Sequence, residues 1–149
     1  MSADTDQVDV RGPRFVAWIT TAVLIVTLLV SAVSMPAAAT ILGLQTVVFA
    51  IGAARGPRRH PYGAVFATFI APRLGPVTER EPVAPLQFAQ LVGFAFGAVG
   101  TAGFALNVAP AGLIATGFAL FAAFLNAAFG ICLGCQIYPL VARFRRVPA

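Results

Sequence analysis

Residues 15–34 read FVAWITTAVLIVTLLVSAVS and residues 35–54 continue as MPAAATILGLQTVVFAIGAA, without one Asp, Glu, Lys, Arg or His. A helix rises about 1.5 Å per residue and a bilayer core is about 30 Å thick, so roughly 20 apolar residues make one crossing. The run is long enough for two. Ser34-Met35-Pro36 marks the break, because proline suits the first turn of a helix and disrupts an interior. Crossings are expected over residues 15–34 and 36–54.

A second charge-free run covers residues 82–142. Asn107-Val108-Ala109-Pro110 divides it by the same reasoning, giving crossings over residues 86–106 and 110–130 and a tail over 131–142. The fold class expected is therefore all-α: a polytopic membrane protein with four transmembrane helices in two hairpins, joined by short interfacial helices. Composition agrees, since 59% of the 149 residues are hydrophobic and 10% are charged, against about 25% charged in a soluble domain.

The charges set an orientation. Short cytoplasmic loops retain Lys and Arg and translocated ones lack them. All ten basic residues are arginines, and they lie in the N-terminal, central and C-terminal segments, while both hairpin tips are uncharged. Both termini are expected on the cytoplasmic side. The net charge of +5 and pI near 10.6 then reflect arginines meeting anionic lipid headgroups rather than nucleic acid, for which nothing soluble is large enough. Ala32-Val33-Ser34 imitates a signal-peptidase site, but the preceding apolar stretch exceeds the usual 7 to 15 residues of a secretion signal.

The halves read as a degenerate tandem repeat within one membrane domain, hairpin repeat 1 over about residues 13–73 and repeat 2 over about 85–146. Pro13-Arg14-Phe15 opens the first and Pro85-Leu86-Gln87-Phe88 the second, about 72 residues on, and the exits at Gly52 to Gly56 and Gly130 to Gly134 lie about 78 residues apart. Both hairpins start from the same side, so the repeats are parallel, related by an axis along the membrane normal. Between them the apolar stretch 62–71 is too short to span and reads as an interfacial helix, and Glu79-Arg80-Glu81 as a solvated linker. Gly93, Gly97, Gly100 and Gly103 form a ridge that allows close helix packing, within the bundle or with a second copy. Gln45 and Asn126 are expected to make interhelical hydrogen bonds.

Only Cys132-Leu133-Gly134-Cys135 carries evident chemistry, and it holds both cysteines of the chain. Sulfurs at i and i+3 lie close enough to form a disulfide or share a soft metal. A closed zinc site needs four ligands, and the chain offers two cysteines and His60, so no metal is assigned on this chain alone and a thiolate metal site would need a second copy or a partner. No cofactor motif is present either. Two readings stand: a reactive thiol pair, for which Cys132 and Cys135 are the candidate catalytic residues, or cysteines that merely pack beside Gly130 and Gly134. At the end of the fourth crossing the helix dipole disfavours thiolate. That reverses if Gly130 and Gly134 end the helix early and the cysteines open a new segment, or if Arg58, Arg59 and His60 lie near and stabilise the thiolate.

Val8-Asp9-Val10-Arg11-Gly12-Pro13-Arg14-Phe15, Gly56-Pro57-Arg58-Arg59-His60-Pro61-Tyr62-Gly63, Arg73-Leu74-Gly75-Pro76 and Leu125-Asn126-Ala127-Ala128-Phe129-Gly130, running into the cysteine motif, resemble in order the small bacterial membrane proteins grouped as domain of unknown function 4395. The resemblance implies a multi-pass protein of the bacterial inner membrane. It also implies neighbourhood with thioredoxin-like or rhodanese-type proteins, which would suit thiol-redox or sulfur transfer with a cytoplasmic partner. The competing expectation is a non-catalytic subunit of a larger membrane complex or a homo-oligomer.

Overall fold

The computed structural model describes residues 7–146, with side chains to residue 143; the side chains of Arg145 and Arg146, counted above in the arginine bias, lie outside the described residues. Four long helices carry the architecture: α1 (Arg11–Ser31), α2 (Met35–Arg55), α4 (Val83–Ala105) and α5 (Ala109–Phe129). All four are long and apolar enough to cross a membrane. At about 1.5 Å per residue, 21 residues span about 31 Å, which matches the bilayer core. The chain is an all-α polytopic membrane protein.

The local signals behave as their chemistry requires. Ser34 caps α2, its side chain accepting from Ala37 N–H at 3.2 Å, with Pro36 in the first turn. Asn107 takes a left-handed φ of 61° in the second tip, a conformation that asparagine tolerates better than most residues, and Pro110 sits in the first turn of α5. Helices α1 and α4 begin three or four residues before the expected boundaries, because the residues ahead of each apolar run, Arg11 to Arg14 and Val83 to Pro85, are still helical.

Helix α2 packs along α4 and α1 along α5, while α1 meets α2 and α4 meets α5. The four spans thus close a ring. Toward the hairpin tips the ring is filled by Leu24, Ala38, Leu42, Phe104 and Ala119. The glycine ridge of α4 faces inward. A β-carbon on Gly93 would lie 2.7 Å from the Phe49 ring, one on Gly97 would strike Thr46 Oγ1, and one on Gly103 would lie 2.5 Å from Gly112 N of α5. Because lipid gives no hydrophobic drive between helices, such backbone approach is what holds them. The outer surface carries exposed Trp18, Leu29, Leu44, Leu91 and Phe121, suited to acyl chains.

Between the hairpins, a 3-10 turn at Pro57–Arg59 leads into α3 (Pro61–Val65), which continues as a π turn (Phe66–Ile70) and a 3-10 turn (Ala71–Arg73). Phe66 is buried against Phe15, ring centroids 5.7 Å apart, while Val65 and Phe69 stay exposed. The Glu79-Arg80-Glu81 linker is corrected in part: β2 (Arg80–Pro82) pairs antiparallel with β1 (Gln7–Asp9), Val8 opposite Glu81. The tail beyond the fourth crossing forms α6 (Leu133–Arg146), packed on α4 and α5.

Candidate functional site

Gly130 stops α5 in the left-handed conformation with φ of 71°, as glycine does without steric cost. Two residues later Cys132 starts α6: its carbonyl accepts from Gln136 N–H at 3.0 Å, and its Sγ accepts from Cys135 N–H at 3.1 Å. Cys132 is thus the N-cap of α6, and the cysteines belong to a helix N-terminus rather than to the C-terminal end of α5. The dipole that seemed to oppose thiolate has the opposite sign there. Cys132 and Cys135 are joined as a disulfide with Cα atoms 5.1 Å apart.

The turn is seated on α4. A β-carbon on Gly134 would lie 2.7 Å from both Cα and Cβ of Ala89, so only glycine allows the start of α6 this close. Phe88 and Tyr138 pack farther along, with centroids 5.8 Å apart.

Beneath the turn lies a cavity of about 380 Å³, walled by all four spans and by α6. Cys132, Leu133 and Gly134 form part of it, with His60, Gln90 and Asn126 as its main polar groups. Val16, Ala17, Ala119, Ala122 and Ala123 line it more deeply, and their short side chains leave the space unfilled. Asn126, expected to bridge helices, is instead a wall residue here.

His60 is 1% exposed. It caps α3, Nδ1 accepting from Tyr62 N–H at 3.2 Å, while Nε2 lies 3.1 Å from Gln90 Oε1. An Nδ1 that accepts must be unprotonated, so Nε2 carries the hydrogen and donates it to Gln90. Burial lowers the imidazole pKa and the Gln90 bond only partly offsets this, so His60 is neutral near pH 7. Gly52 makes the space: a β-carbon there would lie 2.6 Å from His60 Cδ2 and 2.7 Å from Gln90 Oε1. Tyr62 donates its hydroxyl to buried Gln45 Oε1 at 2.6 Å, a bond to α3 rather than to another span.

Of the candidate site residues, Cys132 and His60 therefore face one cavity. Arg58 and Arg59 are exposed, and Arg58 donates to the Gln7 carbonyl at 2.8 Å. Arg14 reaches the opposite side of the turn, donating to Ala127 O at 3.1 Å near the C-terminal end of α5, where a cation is favoured. Sequence reasoning did not single out Gln90 or Ala89 and marked Gly52 only as a hairpin exit; a second glutamine one turn after Gln87 in the same crossing was the available signal for the first. Among the described residues no three His, Cys, Asp or Glu side chains group as metal ligands.

No curated protein and no solved structure matches the chain. The model of one family does, over residues 8–143, and on that match the chain belongs to the family described as Domain of unknown function (DUF4395).

Proposed function

We propose that the protein is a membrane-embedded thiol–disulfide exchange protein whose reactive pair is Cys132 and Cys135. The observation that carries this reading is the placement of the pair at the N-cap and third position of α6, within bonding distance. Helix N-termini lower a thiol pKa, and the Cys135 N–H directed at Cys132 Sγ would stabilise the thiolate once the bond opens. An incoming thiolate attacks Cys135 Sγ, a mixed disulfide forms, and Cys132 leaves as thiolate, since the sulfur of lower pKa is the better leaving group. A second thiol of the partner then releases Cys135 and carries away the new disulfide. Arg58 and Arg59 add positive potential at the same end of the bundle, and His60, being neutral, contributes hydrogen bonding rather than charge.

The partner in this reading is a thioredoxin-like or rhodanese-type protein on the cytoplasmic side of the bacterial inner membrane. The arginine-rich end of the bundle faces the cytoplasm. What supports that orientation is the absence of charge at Ala32–Ser34 and Leu106–Val108. The two hairpins would be copies of one ancestral unit, a reading supported by the paired adjacency of α1 with α5 and α2 with α4.

Gel-shift counting of thiols in native membranes tests the exchange reading. Two thiols should appear with reductant and vanish with oxidant, and Cys132→Ser or Cys135→Ser should remove the shift while leaving insertion intact. Thiols that react only after denaturation, at every redox poise, would make the cysteines packing residues. For orientation, single cysteines at Met35 and Val108 in a Cys132→Ser, Cys135→Ser background should label from outside with an impermeant reagent. Labelling of one at Thr78 from that side would overturn it.

A further inference from the structure

We infer that the cavity under the cysteine turn binds a lipid-soluble quinone, which oxidises the reduced Cys132–Cys135 pair. The inference rests on the exchange reading and adds the electron acceptor. Its first basis is where the cavity lies. It runs from the cysteine turn down to Thr20, nine residues and therefore about 14 Å along α1 from Arg11, and its volume of about 380 Å³ falls in the usual range of about 300–1,000 Å³ for small-molecule sites. Phe118 and Phe121 of α5 line it while remaining 59% and 58% exposed on the outer face of the bundle. The site therefore communicates with the lipid, and a ligand dissolved in the bilayer reaches it without crossing water.

Its second basis is the distribution of chemistry along that cavity. Phe96, Phe118 and Phe121 form an aromatic wall at the deep end, with Phe96 and Phe118 centroids 5.9 Å apart, suited to a flat ring or an isoprenoid tail. His60, Gln90, Asn126 and Cys132 are gathered at the other end, with Thr20 the one polar wall residue at the deep end. Cys132 lines the cavity and Cys135 is not among its wall residues, so the pair divides between an inner residue, beside the ligand, and an outer one, left to the protein partner. His60 fixes Gln90 by taking its Oε1, which leaves the Gln90 NH2 as the donor for a ligand oxygen. Asn126 supplies a second amide in the same wall. An acyl chain would use the deep end and leave every one of these groups without a role.

The electrons balance as follows. Exchange with a partner dithiol leaves Cys132 and Cys135 reduced. The Cys132 thiolate adds to a quinone ring carbon, forming a C–S bond. The Cys135 thiolate then attacks Cys132 Sγ; the S–S bond forms, the C–S bond breaks, and its electron pair passes to the ring. The two protons given up by the thiols end on the two ring oxygens. The dithiol is oxidised by two electrons and the quinone becomes hydroquinone.

The test is anaerobic. Detergent-purified full-length protein is reduced, freed of reductant and mixed with decylubiquinone, following loss of the quinone ultraviolet band and of protein thiols. One quinone should be consumed for each pair of thiols, and Cys132→Ser should consume none. Filling the wall with Ala122→Phe, or more gently Ala122→Leu, should slow quinone reduction by roughly tenfold or more, as overfilling a formed site does, while diamide still oxidises the pair at the wild-type rate. If diamide oxidises the pair and decylubiquinone does not, or if both filled variants react with decylubiquinone as fast as wild type, the quinone site is wrong and the exchange reading stands. If diamide also fails on native protein, the exchange reading itself falls.

Discussion

The turn after α2 and the turn after α5 do the same structural job with opposite chemistry. Each starts from a glycine at positive φ, 84° at Gly56 and 71° at Gly130, and each opens a new helix with a side chain that accepts a backbone N–H: His60 for α3 and Cys132 for α6. Both side chains reach the same cavity. They differ in how firmly they are held. His60 is buried with both ring nitrogens engaged, whereas the cysteines are half-buried and tied only to each other and to one N–H. The first turn is a fixed polar frame and, in the proposed exchange, the second is the part that changes its bonding, so damage to the first should cost stability and damage to the second should cost reactivity.

The largest effect is expected at Gly52. A β-carbon there meets His60 and Gln90 at under 3 Å, and because both are locked together neither yields cheaply. Gly52→Val should destabilise the bundle by about 3 kcal/mol, the upper part of the range for overpacking, measured by SDS titration in bicelles. Gly117→Ala, where nothing lies within 4 Å, is the matched control and should be neutral or stabilising by up to about 1 kcal/mol. Equal effects at the two sites would mean that the first turn is not held as described.

His60→Ala comes next. It leaves Gln90 Oε1 and Tyr62 N–H without partners, at about 1–3 kcal/mol for a buried unsatisfied group. The wild-type residue also predicts a pH dependence with a definite sign. Its folded pKa is lowered from 6.5, so below pH 6.5 the unfolded chain binds a proton that the folded one refuses. Stability is full above that pH and falls as the pH drops through it toward the folded pKa. His60→Ala should flatten the profile between pH 7 and pH 5; an unchanged slope would place the titration elsewhere.

At the second turn, Gly134→Val should push the start of α6 off Ala89 at a cost of about 1–2 kcal/mol. α6 lies outside the ring of spans, so the bundle should survive while the labelling rate of the reduced cysteines rises. A large loss of global stability with unchanged labelling would invert the contrast between the turns.

The spans were legible because charge-free length and a helix-starting proline are local signals, and the Gly93 to Gly103 ridge was legible as a packing feature. The cavity was not. Ala119, Ala122 and Ala123 have the same small-residue composition as that ridge, and only the arrangement of four helices decides whether such residues close a contact or leave a space. The CxxC pair was plain, but the sequence left open which helix carries it: Cys132 adjoins the fourth crossing, and the αL turn at Gly130 gives it to the next helix. Arg58-Arg59-His60 read as one basic cluster, but Gly52, eight residues earlier, provides the space that takes His60 inside while the arginines stay out. The β1–β2 ribbon escaped notice because its strands are three residues each and lie at opposite ends of the first hairpin.

That ribbon supplies the smallest prediction and a direct check that the two turns are separately anchored. Arg58, in the first turn, donates to the Gln7 carbonyl of β1, and β1 is in turn fixed by Asp9, whose carboxylate accepts from Arg11 at 2.7 Å while the same guanidinium donates to Gly75 O at 3.2 Å. The hydrogen bonds from Arg11 hold the Asp9 pKa below its ordinary 3.8. Asp9 therefore contributes stability that is fully present above about pH 3.8 and is lost as the pH falls through the lowered value. Both partners retain solvent contact, with side chains 32% and 17% exposed, so screening limits the pair to about 0.2–1 kcal/mol. Asp9→Asn should lower stability at pH 7 by that amount, with the difference from wild type shrinking in strong acid and in high salt. Because, among the described residues, the ribbon is hydrogen-bonded to the first turn and not to the second, the labelling rate and redox behaviour of Cys132 and Cys135 should not change. A shift in cysteine reactivity in Asp9→Asn would mean that the two turns are coupled through the cavity they share.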